Sequence, residues 1–158
     1  GRHEEVYSRA WRLVYLCSGM IAVVGVALIA LHTPLLHAMG MSGESFRIAT
    51  GMLIIFCLVA LIRMGNWCMN DTYRSAGDSA FGSIMEITFM FLLVQPVIHI
   101  ANDALHLPFL AVFALCYVDE PIRYVIMQAH MYSRKWIKPV SDEGRATIGE
   151  FRKKYHIK

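Results

Sequence analysis

Charged side chains are scarce in this sequence: they make up 17% of its 158 residues, whereas 56% of the residues are hydrophobic. A soluble domain ordinarily has about a quarter of its residues charged, so this composition is typical of a membrane protein. The charges are also distributed unevenly, since no Asp, Glu, Lys or Arg occurs between Leu13 and Gly43. That run is longer than the roughly 20 residues that a helix needs to cross about 30 Å of hydrocarbon.

Cysteine pairs and enzyme motifs are also missing. Cys17, Cys57, Cys68 and Cys116 stand singly in apolar segments, which favours small buried side chains over a disulfide framework or a metal site. The sequence has no P-loop, no dinucleotide-binding motif, no nucleic-acid-binding surface and no nucleophile beside a base. We therefore expect no enzyme, no catalytic residue, no cofactor and no nucleic-acid partner.

Four apolar segments are long enough to cross a bilayer, and turn-forming residues separate them. The chain is therefore predicted to be an all-α integral membrane protein with both ends on one side of the membrane. The predicted spans cover about residues 13–31, 46–68, 81–100 and 105–131.

Lysine and arginine are unequally divided between the two sides that these spans define. Residues 1–12, 63–80 and 131–158 contain three, two and eight of them, whereas residues 32–47 contain one and residues 101–107 none. Because basic flanks tend to remain in the cytoplasm, both ends of the chain are predicted to be cytoplasmic.

The basic tail, residues 138–158, is predicted to form a short surface helix. Ser141 is its candidate N-cap, acidic residues follow in the first turn, and a basic run at residues 152–154 lies near its end.

Charged groups inside a span cost about 3 kcal/mol each on insertion scales, so they usually face a protein interior or a water-filled cavity. On the second span, the polar residues follow one helical stripe. This stripe has two interpretations, the wall of a cavity or the end of a helix that runs out into solvent. Its members are Arg63, Asn66, Asn70 and Arg74.

The third span contains Glu86 near its cytoplasmic boundary, with Gln95 and Pro96 further along. Glu86 has two interpretations, a snorkelling or capping residue or a titratable ion-binding group. Pro96 frees the carbonyl of residue 92 and is predicted to kink the helix.

The fourth span is interrupted by the stretch CYVDEPIRYVIM, residues 116–127. Arg123 follows Asp119 by four residues and Glu120 by three, so one arginine can neutralise either acid within a single helix. Pro121 is predicted to add a bend. We interpret the three charges as a buried structural network rather than as groups that perform direct chemistry.

Histidines provide an alternative interpretation. His32, His37, His99 and His106 fall in or beside the two non-cytoplasmic loops, where they could bind a metal or serve as axial ligands to haem. Haem between membrane helices needs histidines inside facing spans, which favours interfacial histidines without a ligand.

Residues 66–87, NWCMNDTYRSAGDSAFGSIMEI, resemble a loop region of the multidrug and toxic compound extrusion (MATE) transporters. In that family an Asn precedes a segment like L-R-S-G-G-D-T-x-F, which an acidic residue follows. Ala76 and Ser79 stand where the family more often has Gly and Thr. The residues that match are Arg74, Ser75, Gly77, Asp78, Phe81 and Glu86.

The rest of the chain carries further points of resemblance. Gln95 and Pro96 resemble the end of the family's next-to-last helix, and residues 119–140, DEPIRYVIMQAHMYSRKWIKPV, resemble its last helix and exit. The start, GRHEEVYSRAWRLVYL, is similar to the basic linker that precedes an earlier helix of these transporters.

This resemblance implies that the four spans are helices nine to twelve of a twelve-helix transporter, with residues 1–137 forming part of its six-helix C-terminal lobe. Such proteins export organic, mostly cationic compounds in exchange for H⁺ or Na⁺ by alternating access, in a bacterial inner membrane. The implied partners are the lipid bilayer, organic cations and the remaining helices of the same transporter. Asn66 and Gln95 are then candidate cavity-lining residues, and Arg74, Gly77 and Asp78 organise the cytoplasmic loop.

One feature departs from the family pattern. Some members have a carboxylate for the coupling ion on the helix that corresponds to the second span, where this chain has Arg63 and Asn66. No chemical step is therefore assigned to any residue. The alternative is a self-contained four-span protein, either a dimeric small transporter or a histidine-ligated metal or haem protein.

Overall fold

The computed structural model describes residues 2–139 and 141–157 and shows a bundle of helices, with no strand among these residues. Gly1, Val140 and Lys158, which belong to the predicted segments 1–137 and 138–158, lie outside the described residues. The predicted all-α class is confirmed.

In the described part of the chain, three helices are long and apolar enough to cross a membrane, and they correspond to the first three predicted spans. They are α1 (His3–Ala30), α3 (Gly43–Ser75) and α4 (Ser79–Ala104). The shorter helices are α2 (His32–Ala38), α5 (Phe109–Leu115), α6 (Asp119–Ser133) and α7 (Asp142–Lys154).

Helix α3 is central because it packs against α1, α4 and α6. Small residues allow these helices to approach closely, as is common where membrane helices pack. A Cβ atom added to Gly65 would lie 2.7 Å from the ring of Tyr124 on α6, and one added to Gly82 on α4 would lie 1.7 Å from Asn70 Oδ1. These contacts fix the sides of α3 that face its neighbours.

The best-buried part of the bundle lies at the end where α3 finishes and α4 begins. Met69, Tyr73, Met131 and Trp136 have no exposed surface there, whereas many apolar side chains along α1 are exposed, including Val23 at 71%. An apolar exposed surface along a long helix is what contact with lipid hydrocarbon requires.

Helix α4 contains two π-helical turns, Met90–Val94 and Ile100–Ala104. At the first, the backbone N–H of Gln95 donates to the carbonyl of Met90, five residues back, immediately before Pro96. Because Pro96 has no N–H and crowds the carbonyl four residues before it, a widened turn accommodates it. A kink was predicted at Pro96, and the structure has a π-helical turn immediately before it.

The fourth predicted span, 105–131, is divided in the structure. Residues 105–108 form a non-helical connection, and a turn at residues 116–118 separates α5 from α6. Pro121 lies in the first turn of α6, where its missing N–H interrupts no intrahelical hydrogen bond. The break at residues 116–118 thus falls within the predicted interruption at residues 116–127, while the helix runs through Pro121, where a bend was predicted.

Helix α7 forms where the tail was predicted to be helical, and the predicted N-cap is confirmed. Ser141 Oγ accepts a hydrogen bond of 3.2 Å from the backbone N–H of Gly144. Phe151 packs against the ring of His3, and Tyr155 donates to Glu4. The tail therefore packs on the first turns of α1, so the two ends of the described chain meet at the same end of the bundle.

Candidate functional site

The three charges predicted on the fourth span form the centre of a buried network between α6 and α3. Arg123 Nη1 lies 3.3 Å from Asp119 Oδ2, and Arg123 Nη2 lies 3.3 Å from Glu120 Oε2. All three residues are at least nine-tenths buried. A single guanidinium with its donors in a planar fork serves both carboxylates at once, which a lysine could not do with the same geometry.

Two residues of the polar stripe on α3 complete this network. Asn66 Nδ2 donates to Glu120 Oε2 at 2.7 Å and to the backbone carbonyl of Glu120 at 3.1 Å. Arg63 Nε lies 3.6 Å from Glu120 Oε1, and its guanidinium stacks between the rings of Trp67 and Tyr117 at 5.1 and 5.6 Å. We call Arg63, Asn66, Asp119, Glu120 and Arg123 the buried polar network; Arg63, whose side chain is 35% exposed, forms its outer edge.

The buried polar network is electrically balanced, with two arginines facing two carboxylates. Removing a charge from water is costly, so a balanced set stabilises each member only while its partners are present. Asn66 is 1% exposed, and its Oδ1 atom has no hydrogen-bond partner among the described residues. The buried polar network thus joins α3 to α6, and among the described residues nothing donates to Asn66 Oδ1.

A second cluster lies where the α3–α4 connection meets the end of α6. Asp78 Oδ2 accepts a hydrogen bond of 2.9 Å from His130 Nε2, and Asp78 Oδ1 accepts one of 2.7 Å from Lys138 Nζ. The His130 ring stacks on Phe81 with centroids 3.8 Å apart, and Tyr73 meets its face edge-on at 5.0 Å. We call these five residues the Asp78 cluster.

The charge state of Asp78 follows from these contacts. Burial raises the pKa of this carboxyl, but the hydrogen bonds and positive charges of Lys138 and His130 outweigh burial and hold the pKa below its ordinary value. Asp78 is therefore ionised at neutral pH and can hold both donors.

Gly77 explains why the connection can turn at this place. The N–H of Gly77 donates to the carbonyl of Arg74 and that of Asp78 to the carbonyl of Tyr73, the Schellman pattern that ends a helix. Gly77 has a φ of +90°, and a Cβ atom there would lie 2.7 Å from the carbonyl oxygen of Lys138. Glycine is thus needed for the backbone conformation and for the close approach of the exit segment.

The remaining predicted site residues lie apart from both clusters. Glu86 and Gln95 are exposed on α4, and Arg74 lies in the last turn of α3 rather than in the loop, with Nη2 3.4 Å from Ser83 Oγ. Asn66 is buried against Glu120 and belongs to the network. The structure therefore joins Asn66, Asp119, Glu120 and Arg123 but not Glu86 or Gln95.

The histidines predicted in or beside the two non-cytoplasmic loops lie at two separate places, with His32 and His37 both packed on Phe46. His37 stacks on Phe46 with centroids 4.9 Å apart, and His99 lies 3.4 Å from Asp103. Among residues 2–139 and 141–157, no group of three or more His, Cys, Asp and Glu side chains could hold a metal ion.

The fold and the network together define the class of this protein: an all-helical membrane protein whose charged residues pair inside the bundle. Comparison with known proteins identifies no particular family, because no family model, curated protein or solved structure matches the chain.

Sequence reasoning missed the contacts of Arg63 and Asn66 with Glu120 and those of His130 and Lys138 with Asp78. The helical offsets had placed Arg63 and Asn66 on one stripe but not opposite any acid. A rule that buried acids seek cations on neighbouring helices could have suggested the partners, but it could not have chosen between them.

Proposed function

We propose that the chain is the C-terminal part of a MATE-type secondary active efflux antiporter in a bacterial inner membrane. Together with the remaining helices of that transporter, it exports organic, mostly cationic compounds in exchange for H⁺ or Na⁺. Both of its ends are cytoplasmic in this proposal.

The main support is that the two stretches with the most specific family resemblance, residues 66–87 and 119–140, pack against each other. Asn66 in the first stretch donates a hydrogen bond to Glu120 in the second. Asp78 in the first stretch accepts hydrogen bonds from His130 and Lys138 in the second. These contacts join the two stretches, which favours a common role for them in one lobe of such a transporter.

The proposal includes four crossings, with α5 and α6 as the fourth. Their seven and fifteen residues measure about 33 Å at 1.5 Å per residue, and the hydrocarbon core is about 30 Å thick. The three charges of α6 do not prevent insertion, because Arg63 and Asn66 help to balance and hydrogen-bond them.

Within such a transporter, the buried polar network fixes α6 against α3, and the Asp78 cluster fixes the cytoplasmic connection. Neither cluster is assigned a chemical step. Alternating access requires one lobe to rock against the other around a central site. The chain alone therefore supplies part of one lobe and should not transport.

An efflux assay tests this proposal. The complete reading frame that contains this sequence would be expressed in bacteria that lack their own efflux pumps, and ethidium efflux would be followed under an imposed H⁺ or Na⁺ gradient. We expect gradient-dependent efflux from the complete protein and none from residues 1–158 expressed to the same level in the membrane.

Efflux by residues 1–158 alone would overturn the proposal in favour of a self-contained transporter. A haem absorption band or stoichiometric metal in the purified chain would favour the histidine-ligated alternative.

A further inference from the structure

A cavity of about 510 Å³ lies at the end of the bundle where the two chain ends meet. Its walls are the first turns of α1, the last turn of α3 and the segment that leads into α7. None of the residues of the buried polar network lines it. The cavity is therefore separate from the network described above.

One wall of the cavity carries an excess of positive charge. Arg2 and Arg9 both line it, and both pair with the same carboxylate, that of Glu5. Their side chains are 86% and 71% exposed. Two guanidiniums share one carboxylate, so this wall can accept a further negative group.

The other charges of the cavity have different surroundings. Lys138 lines the cavity, but Asp78 already neutralises it. Glu143, in the first turn of α7, contributes a carboxylate to the wall that faces α1. The wall formed by Arg2 and Arg9 therefore has one positive charge more than Glu5 neutralises. Glu143, on α7, adds a negative charge to another wall.

The cavity lies where the charged first turns of α1 meet its uncharged run. Leu13 lines it and also begins the uncharged run of the sequence, and its side chain is 49% exposed. Val6 adds a second apolar side chain to the lining. The cavity therefore opens from the polar ends of the helices onto the apolar surface of α1, where hydrocarbon gives way to headgroups.

We propose that this cavity binds one phospholipid with an amine headgroup. Arg2 and Arg9 bind its phosphate, Glu143 binds its ammonium group, and an acyl chain lies against Leu13 and the apolar surface of α1. A phosphate matches the planar donors of arginine, and the ammonium group uses the acid that would repel a purely anionic headgroup. This site does not depend on the transport activity proposed above.

Lipid retention tests the proposal. The purified chain in detergent would be titrated with dioleoyl phosphatidylethanolamine, phosphatidylglycerol or phosphatidylcholine in mixed micelles, and bound lipid would be counted by native mass spectrometry. We expect one phosphatidylethanolamine to bind in preference to the other two lipids. Soluble phosphoethanolamine lacks the acyl chains and should not displace it.

Variants separate the two halves of the site. Arg9→Gln should weaken phosphatidylethanolamine binding about tenfold, the loss of roughly one charge-assisted contact. Glu143→Gln should instead shift the preference towards phosphatidylglycerol. Arg47→Gln, which removes an exposed arginine paired with Glu44 elsewhere in the chain, is the matched control and should bind as the original does.

The circular dichroism spectrum of each variant would verify that it remains helical. Equal retention of the three lipids, displacement by soluble phosphoethanolamine, or an equal loss in Arg9→Gln and Arg47→Gln would overturn the proposal.

Discussion

Asp119 and Glu120 are tolerated inside the bundle because each has a cation within reach. Asp119 has Arg123, whereas Glu120 has both Arg123 and Arg63 and also accepts from Asn66. An ion pair that is out of water contributes little net stability against an apolar replacement, yet it is costly to break. Loss of the shared arginine should therefore affect Asp119 more than Glu120.

We predict that Arg123→Gln lowers the unfolding free energy by about 3 kcal/mol, because it leaves the buried carboxylate of Asp119 without its cation. Adding Asp119→Asn should restore part of this loss, since it removes the unpaired charge. Unfolding of the purified chain in mixed micelles of increasing SDS content would measure both effects.

The control for this experiment is Arg47→Gln, whose arginine is 81% exposed and should contribute less than about 0.5 kcal/mol. If Arg123→Gln were as stable as this control, or if Asp119→Asn added a further loss, the buried polar network would not be a stabilising unit.

At the scale of single residues, the sequence could predict a contact only when the two partners lie close together along the chain. The pairing of Arg123 with Asp119 and Glu120 follows from offsets of four and three along one helix, so the sequence was sufficient. The contact of Glu120 with Arg63 depends on how α6 packs against α3. Spacing along the chain cannot supply that information, because the same stripe on α3 could have faced water or a cavity.

At the scale of the helix, the length of an apolar run predicted α1, α3 and α4 well. Helix α3 continues to Ser75, beyond the end of the predicted apolar span, and so carries the whole stripe from Arg63 to Arg74 that the offsets had placed on one helix. The break at residues 116–118 falls within the interruption predicted at residues 116–127. The bend predicted at Pro121 was not needed, because proline in the first turn of a helix is accommodated without one.

Close packing between α3 and α4 depends on Gly82. A Cβ atom at this position would lie 1.7 Å from Asn70 Oδ1, so Gly82→Ala must displace the Asn70 side chain or separate the helices. We predict a loss of about 1–3 kcal/mol in unfolding free energy, the usual range for overpacking. In an Asn70→Ala background, the same substitution should cost clearly less, as a double-mutant cycle in the SDS assay would measure.

Gly19 is the matched control for Gly82. It also lies inside a helix, but apart from its neighbours in the chain and the backbone of its own helix, no atom of the described residues lies within 4 Å of the Cβ position there. Gly19→Ala should therefore be neutral or slightly stabilising, because it restricts the unfolded chain without a clash. A loss at Gly82 that is unchanged by Asn70→Ala would show that the contact with Asn70 is not the cause.

For the whole molecule, the decisive property is how the charges are divided between the interior and the ends. The long uncharged runs expose apolar side chains, while the charges of α6 pair with residues of α3. Among the described residues, three helices are long and apolar enough to cross a membrane. Helices α5 and α6, with seven and fifteen residues, are each too short to cross alone, and the pairing of α6 with α3 supports the fourth crossing that we propose for them.

The number of crossings can be measured by labelling single cysteines. In a chain whose native cysteines are replaced by alanine, Ser42→Cys and Leu105→Cys would report one side, and Ser79→Cys and Glu150→Cys the other; all four positions are exposed. With four crossings and cytoplasmic ends, a membrane-impermeant maleimide should label only the first pair in intact bacteria. All four should react after the membrane is permeabilised.

Glu150→Cys is the informative position, because it follows α5 and α6. If those helices did not cross, residue 150 would lie on the same side as residue 105, and both would be labelled in intact cells. Ser79→Cys precedes α4 and should remain protected in either case, so it is the matched control for leakage. Labelling of Glu150→Cys with protection of Ser79→Cys would reduce the count to three crossings and place the two ends of the chain on opposite sides, contrary to the packing of α7 on α1.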